Sequence, residues 1–171
     1  MPMPNFVIGL LFGLAIVVLA YVLAYGLMAH RAKGMRSLAS AWGFRYIGPS
    51  ASRWRSSRRS RLEVESNLPS SFPRTCHPPL PFKQVWNVIE GQRSGVSILI
   101  FDSIIGVERG TGRYCTFIAI ETEENPFVAV PSTEKVVHSH GWTGLYRLRF
   151  LQFPWTMDIQ QIKRLLNNLP Y

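Results

Sequence analysis

From Phe6 to Ala29 the chain reads FVIGLLFGLAIVVLAYVLAYGLMA, without one charged side chain. At 1.5 Å per residue a helix over this run is about 36 Å long, enough to cross a ~30 Å hydrocarbon core with some tilt. Lipid offers backbone groups no hydrogen-bond partner, so a helix, which satisfies its own, is the conformation such a run adopts there. Tyr21 and Tyr25 stand one turn apart toward the end of the run, where amphipathic rings favour the headgroup level. A cleaved leader has a positive n-region, a shorter apolar core and a small-residue cleavage site. Met1 to Asn5 carry no charged side chain and the run is too long, so a retained anchor over residues 1–30 is expected.

The run is followed by charge of one sign. Arg31, Lys33, Arg36, Arg45, Arg53, Arg55, Arg58, Arg59 and Arg61 all precede the first acid, Glu63. The net charge of +9 comes from 19 basic and 10 acidic residues, and the stretch after Arg61 is formally neutral. A neutral domain on a basic neck is therefore expected, not a uniformly basic one. Lysine and arginine asymmetry orients a span. It places the amino terminus outside and the rest of the chain in the cytoplasm, as a single-pass protein of the cell inner membrane. Two cysteines, Cys76 and Cys115, make no disulfide framework, and the sequence holds no Asn-x-Ser/Thr acceptor; both agree with that side.

The neck, residues 31–61, suits an anionic leaflet at about 1 kcal/mol per basic residue held near the surface. The residues expected to touch headgroups are Arg31, Lys33, Arg36, Arg53, Arg55, Arg58, Arg59 and Arg61. Nucleic acid is disfavoured as a partner: Arg53 to Arg61 hold one tryptophan, Trp54, and no recognisable nucleic-acid fold surrounds them. Within the span, Gly9 and Gly13, then Ala20 and Ala24, repeat a small-residue spacing that lets two helices approach closely. This face is the candidate for pairing with itself or with another membrane protein.

The remainder, residues 62–171, reads as the soluble part of an α+β chain. Met35 to Trp42 predicts a short helix ended by Gly43, and Phe44 to Ile47 a strand. Residues 48–81 carry the Arg/Ser tract and then Pro69, Pro73, Pro78, Pro79 and Pro81. Leu62, Val64, Leu68, Phe72 and Leu80 punctuate them, which favours a loop wrapped over the domain. Strands are expected at Gln84–Glu90, Val96–Phe101, Arg113–Thr122, Phe127–Val130 and Leu145–Phe153, with a hairpin turn at Gly91–Gly95. The apolar Val96–Phe101 suits a strand buried on both faces. A closing helix from Thr156 or Asp158 to Leu169 packs through Ile159, Ile162, Leu166 and Leu169. The expected architecture is an antiparallel sheet of five or six strands with a short N-terminal and a C-terminal packing helix.

Candidate chemistry is sparse. Asp102, at the end of the Val96–Phe101 strand, is a carboxylate suited to catalysis or to starting a turn. His138 and His140 share one side of a strand, but a metal site needs three or four ligands, and neither Cys76, His77 nor Cys115 has motif spacing. Gly106 to Gly112 lacks the Gly-Lys-Ser/Thr and the following helix of a phosphate cradle. Cys115 falls in an apolar strand, where an inert thiol is the default. No cofactor is implied.

The segments Leu38-Ala39, Gly43-Phe44-x-Tyr46, Asn87-Val-Ile-Glu-Gly91, Gly95-x-x-Ile98, Phe101-Asp102 and Phe127-x-x-x-x-Pro131 resemble a set of bacterial single-span membrane proteins. In those a short helix and a β-rich domain follow the anchor. The resemblance spans residues 36–131 and departs at Ser103, where an aromatic residue is common. It implies a bacterial membrane-bound domain and carries no activity with it. The expectation is thus a non-enzymatic, membrane-anchored cytoplasmic module that binds a partner protein or lipid headgroups. The alternative is a small enzyme, or a ligand or metal sensor, with a pocket near Asp102 and His138/His140.

Overall fold

A computed structural model describes residues 5–48, 68, 72–73, 76, 82–106, 113–127, 134–148 and 157–169. The chain is α+β. A helix α1 (Asn5–Trp42) is followed by strands β1 (Arg45–Ile47), β2 (Phe82–Arg93), β3 (Val96–Ile105), β4 (Arg113–Ile120), β5 (Glu134–Ser139) and β6 (Trp142–Leu148), then helix α2 (Ile159–Asn167). The six strands form one antiparallel sheet in the order β1-β2-β3-β4-β6-β5.

The apolar run and the short helix expected at Met35–Trp42 are one element. Nothing between Ala29 and Met35 stops a helix: His30, Arg31, Ala32 and Lys33 are tolerated, and a lone Gly34 costs about 1 kcal/mol against Ala. Gly34 instead serves packing, because a Cβ there would lie 2.9 Å from Ile159 Cγ1 of α2. The helix ends where expected. Gly43 takes φ +68°, and the Phe44 amide donates to the Ala39 carbonyl at 2.8 Å, a left-handed cap that favours glycine.

The two halves of α1 live in different surroundings. Leu10, Phe12, Val17 and Val22 are exposed, as are the other large side chains from Ile8 to Leu27 and Phe6, while Val7 is half-buried. Ala24 and Met28 are half-buried, and Arg31, Met35, Leu38 and Ala39 are buried. Ala24, Met28, Arg31, Met35, Leu38 and Trp42 recur at steps of four and three, a single stripe along the helix. Met35, Leu38 and Ala39 enter one core with Ile162, Leu166 and Met157 and with Ile89, Ile98, Ile100, Ile118, Ile120 and Leu145 of the sheet.

The other face of the sheet has its own core, with Phe101, Phe117, Cys115, Tyr146, Val85 and Val88. Phe72 meets Phe101, Phe117 and Trp142 edge-on, at 6.0, 6.2 and 5.4 Å between ring centroids. Phe72 and Cys76 are buried against this face and Leu68 packs on it; Leu62, Val64 and Leu80 lie outside the described residues. β3 is accordingly buried on both faces, as its sequence predicts.

Three sequence expectations shift. The first hairpin turns at Ser94-Gly95, not over Gly91–Gly95; both turn residues have positive φ, at 51° and 80°, the signature of a two-residue primed turn. Gly91 stays in β2 because the Phe44 ring lies where its side chain would be. A strand is added at Glu134–Ser139; of the one expected at Phe127–Val130, residues 128–130 lie outside the described set. The pair β5–β6 turns at His140-Gly141, with φ 48° and 78°, and β6 starts at Trp142 rather than Leu145.

The two tight turns mark one end of the sheet. Ile105, Arg113 and Glu134 mark the other. Trp42 lies 4.8 Å from the Arg93 guanidinium beside the first turn, whereas Arg31 bonds Asp102 toward the opposite end. Thus α1 runs along β3 in the opposite direction.

Gly144 of β6 passes directly beside Phe117; an added Cβ would strike that ring and come within 3.0 Å of Val137 Cγ2. Overfilling a packed core costs typically about 1–3 kcal/mol. Gly144→Ala should lower the urea-unfolding free energy of the detergent-solubilised chain by that amount, read as a lower midpoint at unchanged slope; an unchanged midpoint contradicts the packing described.

Candidate functional site

The polar groups of the core converge on Arg31 and Asp102. The register explains how. β3 does not end at Phe101 but runs on to Ile105, so Asp102 sits inside it, opposite Thr116 of β4. Thr116 in turn faces Arg147 of β6, and Arg147 faces Glu134 of β5. A row of four polar residues therefore crosses four adjacent strands on the helix-covered face. On the β2 side the pairing slips between Trp86 and Ile89. This bulge holds Asn87 at φ 52°, a left-handed conformation that asparagine tolerates better than most residues.

The guanidinium of Arg31 descends onto this row from α1. Its Nε donates to Asp102 Oδ2 at 3.1 Å and its Nη2 to Oδ1 at 2.9 Å, a two-pronged pair. Nη2 also donates to Thr116 Oγ1 at 3.1 Å, and Nη1 to the Met157 carbonyl at 2.7 Å. Asp102 further accepts from Asn87 Nδ2 at 3.0 Å and from the Thr116 hydroxyl at 2.8 Å. Tyr46 of β1 donates its hydroxyl to Asn87 Oδ1 at 2.8 Å. Arg31 and Asp102 are 3% and 2% exposed, so the pair is out of water, where only full hydrogen bonding makes two charges tolerable.

Met157 precedes Asp158, the N-cap of α2. Asp158 Oδ1 accepts from the Gln161 amide at 2.7 Å and the Gln161 side chain accepts from the Asp158 amide at 3.2 Å, a reciprocal capping box. Arg31 therefore joins α1, β3, β4 and the entry to α2. Burial pushes the Tyr46 phenol above its ordinary pKa; Arg36, whose guanidinium lies 5.4 Å from the ring centre, opposes this, and Asp102 adds to it. The hydroxyl is thereby kept protonated as the donor Asn87 needs.

An ionised carboxylate has about four acceptor positions, and Asp102 receives four donors. A base or nucleophile needs a free lone pair facing solvent or substrate. The geometry makes Asp102 an internal anchor and leaves it no acceptor site for a substrate. The histidines are elsewhere. His138 pairs in register with Thr143, which faces Ile120 and, across β4, Ile98; that row is four residues along β3 from Asp102, about 13 Å at 3.3 Å per residue. His138 Nδ1 lies 2.9 Å from Thr143 Oγ1, and His140 occupies the turn. The structure does not bring Asp102 and the two histidines together. Among the described residues no group of three His, Cys, Asp or Glu side chains is placed to hold a metal.

The expected headgroup residues also divide. Arg31 is corrected outright: it is spent on Asp102 inside the domain and is out of reach of any headgroup. Lys33 and Arg36 are exposed on α1. Arg53, Arg55, Arg58, Arg59 and Arg61 lie outside the described residues. On the pairing face Gly9, Gly13 and Ala20 are exposed, and a Cβ at either glycine would meet nothing within 4 Å; Ala24 is half-buried at the start of the domain-facing stripe. Both thiols are buried and free. Burial raises Cys76 to about 11 and raises Cys115 further, with Asp102 adding to the effect, so neither is a ready thiolate.

At the far end of the row Glu134 sits with Oε1 3.7 Å from Arg147 Nε and a side chain only 4% exposed; its Oε2 has no hydrogen-bond partner among the described residues. No family model, no curated protein and no solved structure matches the chain.

Two outcomes follow. Arg31→Met strands the Asp102 carboxylate in the core and should cost about 3–5 kcal/mol. Adding Asp102→Leu should recover most of that loss in urea unfolding, whereas additive losses would mean that the pair is not one unit. Glu134 has its pKa raised above the ordinary 4.5, by burial first and with Arg147 opposing. Its favourable contribution is thus full below about 4.5 and is lost as pH rises through the folded-state value. Glu134→Gln, neutral throughout, should be more stable than the parent at pH 8, and the gain should vanish below pH 4.5.

Proposed function

We propose that the chain is a single-pass, membrane-anchored cytoplasmic module whose role is interaction, with lipid headgroups or a partner protein, rather than catalysis. The carrying observation is the asymmetry of α1. One continuous helix is bare and apolar over Phe6 to Leu27 and is packed into the sheet from Arg31 onward. A large apolar side chain gains about 1.5–3 kcal/mol on leaving water, and fifteen such side chains, from Phe6 to Leu27, are exposed. A bilayer supplies the apolar surroundings they lack.

The amino terminus is assigned to the outside and the sheet domain to the cytoplasm of a bacterial inner membrane, because Lys33, Arg36 and the arginines 53–61 all follow the span. The basic tract Arg53, Arg55, Arg58, Arg59 and Arg61 is the proposed contact to anionic headgroups, with Lys33 and Arg36 beside it. Gly9, Gly13 and Ala20 remain the proposed face for pairing with another span or a second copy. A non-enzymatic role is favoured because the carboxylate in the core is saturated by internal donors and lies in a different register row from the histidines.

The chain should remain with membranes through an alkaline carbonate wash; release into the supernatant would overturn the anchor. Purified in mild detergent at low salt, it should retain anionic phospholipid in excess over zwitterionic. Changing Arg53, Arg55, Arg58, Arg59 and Arg61 to Ser, or raising salt to ~1 M, where the Debye length falls to about 3 Å, should remove that excess. Equal retention before and after would overturn the headgroup contact.

A further inference from the structure

The apolar run is longer than a hydrocarbon core. Its length of about 36 Å exceeds ~30 Å by some 6 Å, and the excess has a neighbour. Along the stripe of α1 that enters the core, Ala24 and Met28, inside the run, are half-buried and Arg31 is buried. The domain thus overlaps the last five residues or so of the run, about 8 Å, close to the 5–8 Å of headgroup layer on each side of a bilayer.

The sheet identifies what lies at that level. From Trp42 back to Arg31 the helix covers about 16 Å, and from Val96, paired with Arg93 near Trp42, to Asp102 beneath Arg31 β3 covers about 20 Å. The two elements keep pace, so the row beyond Asp102 comes level with Met28. That row holds Ile104 and Tyr114, facing each other in register, with Trp86 opposite Asp102 one step back. Trp86 and Tyr114 meet edge-on at 6.1 Å. All three side chains are half-buried, whereas Ile98, Ile100, Ile118 and Ile120 further up the same face are buried. Tyr25 and Tyr21 of α1 are exposed about 5 Å and 11 Å from Met28 along the helix.

We propose, building on the anchored orientation above, that the rim formed by Trp86, Ile104 and Tyr114 sits in the phospholipid interface of the leaflet from which α1 emerges. Indole and phenol rings combine an apolar body with one polar group, the combination favoured at that depth. Together with Tyr21 and Tyr25 the rim makes a belt shared between the span and the domain. The domain then rests within the headgroups, and the basic tract is a second contact and not the only one.

Fluorine NMR of the full chain, labelled with fluorotryptophan in nanodiscs of phosphatidylcholine with a minority of phosphatidylglycerol, tests this. Trp142 is an internal control: it lies seven residues of register from the Ile104 row, about 23 Å away, and Trp42 lies at the same far end. Single Trp→Phe variants at Trp42, Trp54, Trp86, Trp142 and Trp155 assign the five resonances, and one variant that fails to fold leaves its own resonance assigned by elimination. A lipid spin-labelled near the headgroup end of its acyl chain should broaden Trp86 several-fold more than Trp142 and Trp42. Equal broadening in a chain that stays with the nanodisc overturns the interfacial seat, including the case in which another segment or protein covers the rim. A chain that leaves the nanodisc overturns the anchor itself.

Discussion

The two-pronged pair between Arg31 and Asp102 is the constraint on which the rest of this structure depends. A guanidinium and a carboxylate removed from water are worth little to stability as a pair, because desolvation offsets their attraction. What they supply is geometry. The fork between Arg31 and Asp102 admits few orientations, and the added bonds to Thr116, Asn87 and the Met157 carbonyl fix it further. One side chain therefore sets the position of α1 along the sheet and the point at which α2 begins. Around it the apolar contacts of Met35, Leu38, Ile162 and Leu166 contribute most of the free energy, but they would tolerate a shift of register that the ion pair does not.

The same pair draws the end of α1 into the domain. A charged residue two positions past an apolar run ordinarily points to water and headgroups. Here it is drawn inward, and the helix continues for almost three more turns as a wall of the core. In the orientation proposed above, the orienting positive charge falls to Lys33, Arg36 and the later arginines, since Arg31 is neutralised locally. The polar row from Asp102 to Glu134 shows how unevenly such a row is satisfied. Its Asp102 end is saturated with donors, while at its other end Glu134 keeps one oxygen without a partner among the described residues.

Much of the architecture was legible in the residues. The apolar run, the glycine that ends α1, the two-face burial of β3, the alternation in β4 and the Asp158 start of α2 all follow from local pattern. The register was not legible, and the site depends on register. Nothing local states that Asp102, Thr116, Arg147 and Glu134 align, since they come from four strands up to 45 positions apart along β3 to β6. Two signals were nevertheless present. Arg31 falls within the four-and-three stripe of Met28, Met35 and Leu38, a place where a basic residue calls for a buried acid. Asn87 interrupts a β-branched and aromatic stretch, a mark of a bulge. The histidines misled because proximity in sequence to a strand end says nothing about which row they join. The stop at Phe101 misled because an acid in an apolar strand looks like its terminus until a partner is known.

The unbroken α1 also removes a freedom that tethered domains usually have. With a flexible stalk, a domain keeps its own attitude whatever its anchor does. With a rigid rod shared between bilayer and sheet, any lean of the rod becomes a lean of the whole body. A hydrophobic stretch longer than the local hydrocarbon thickness accommodates by tilting, and the apolar run of α1 exceeds that thickness by about 6 Å. Under the anchoring proposed above, thinning or thickening of the surrounding lipid is converted into a change in the pitch of the strands relative to the membrane plane.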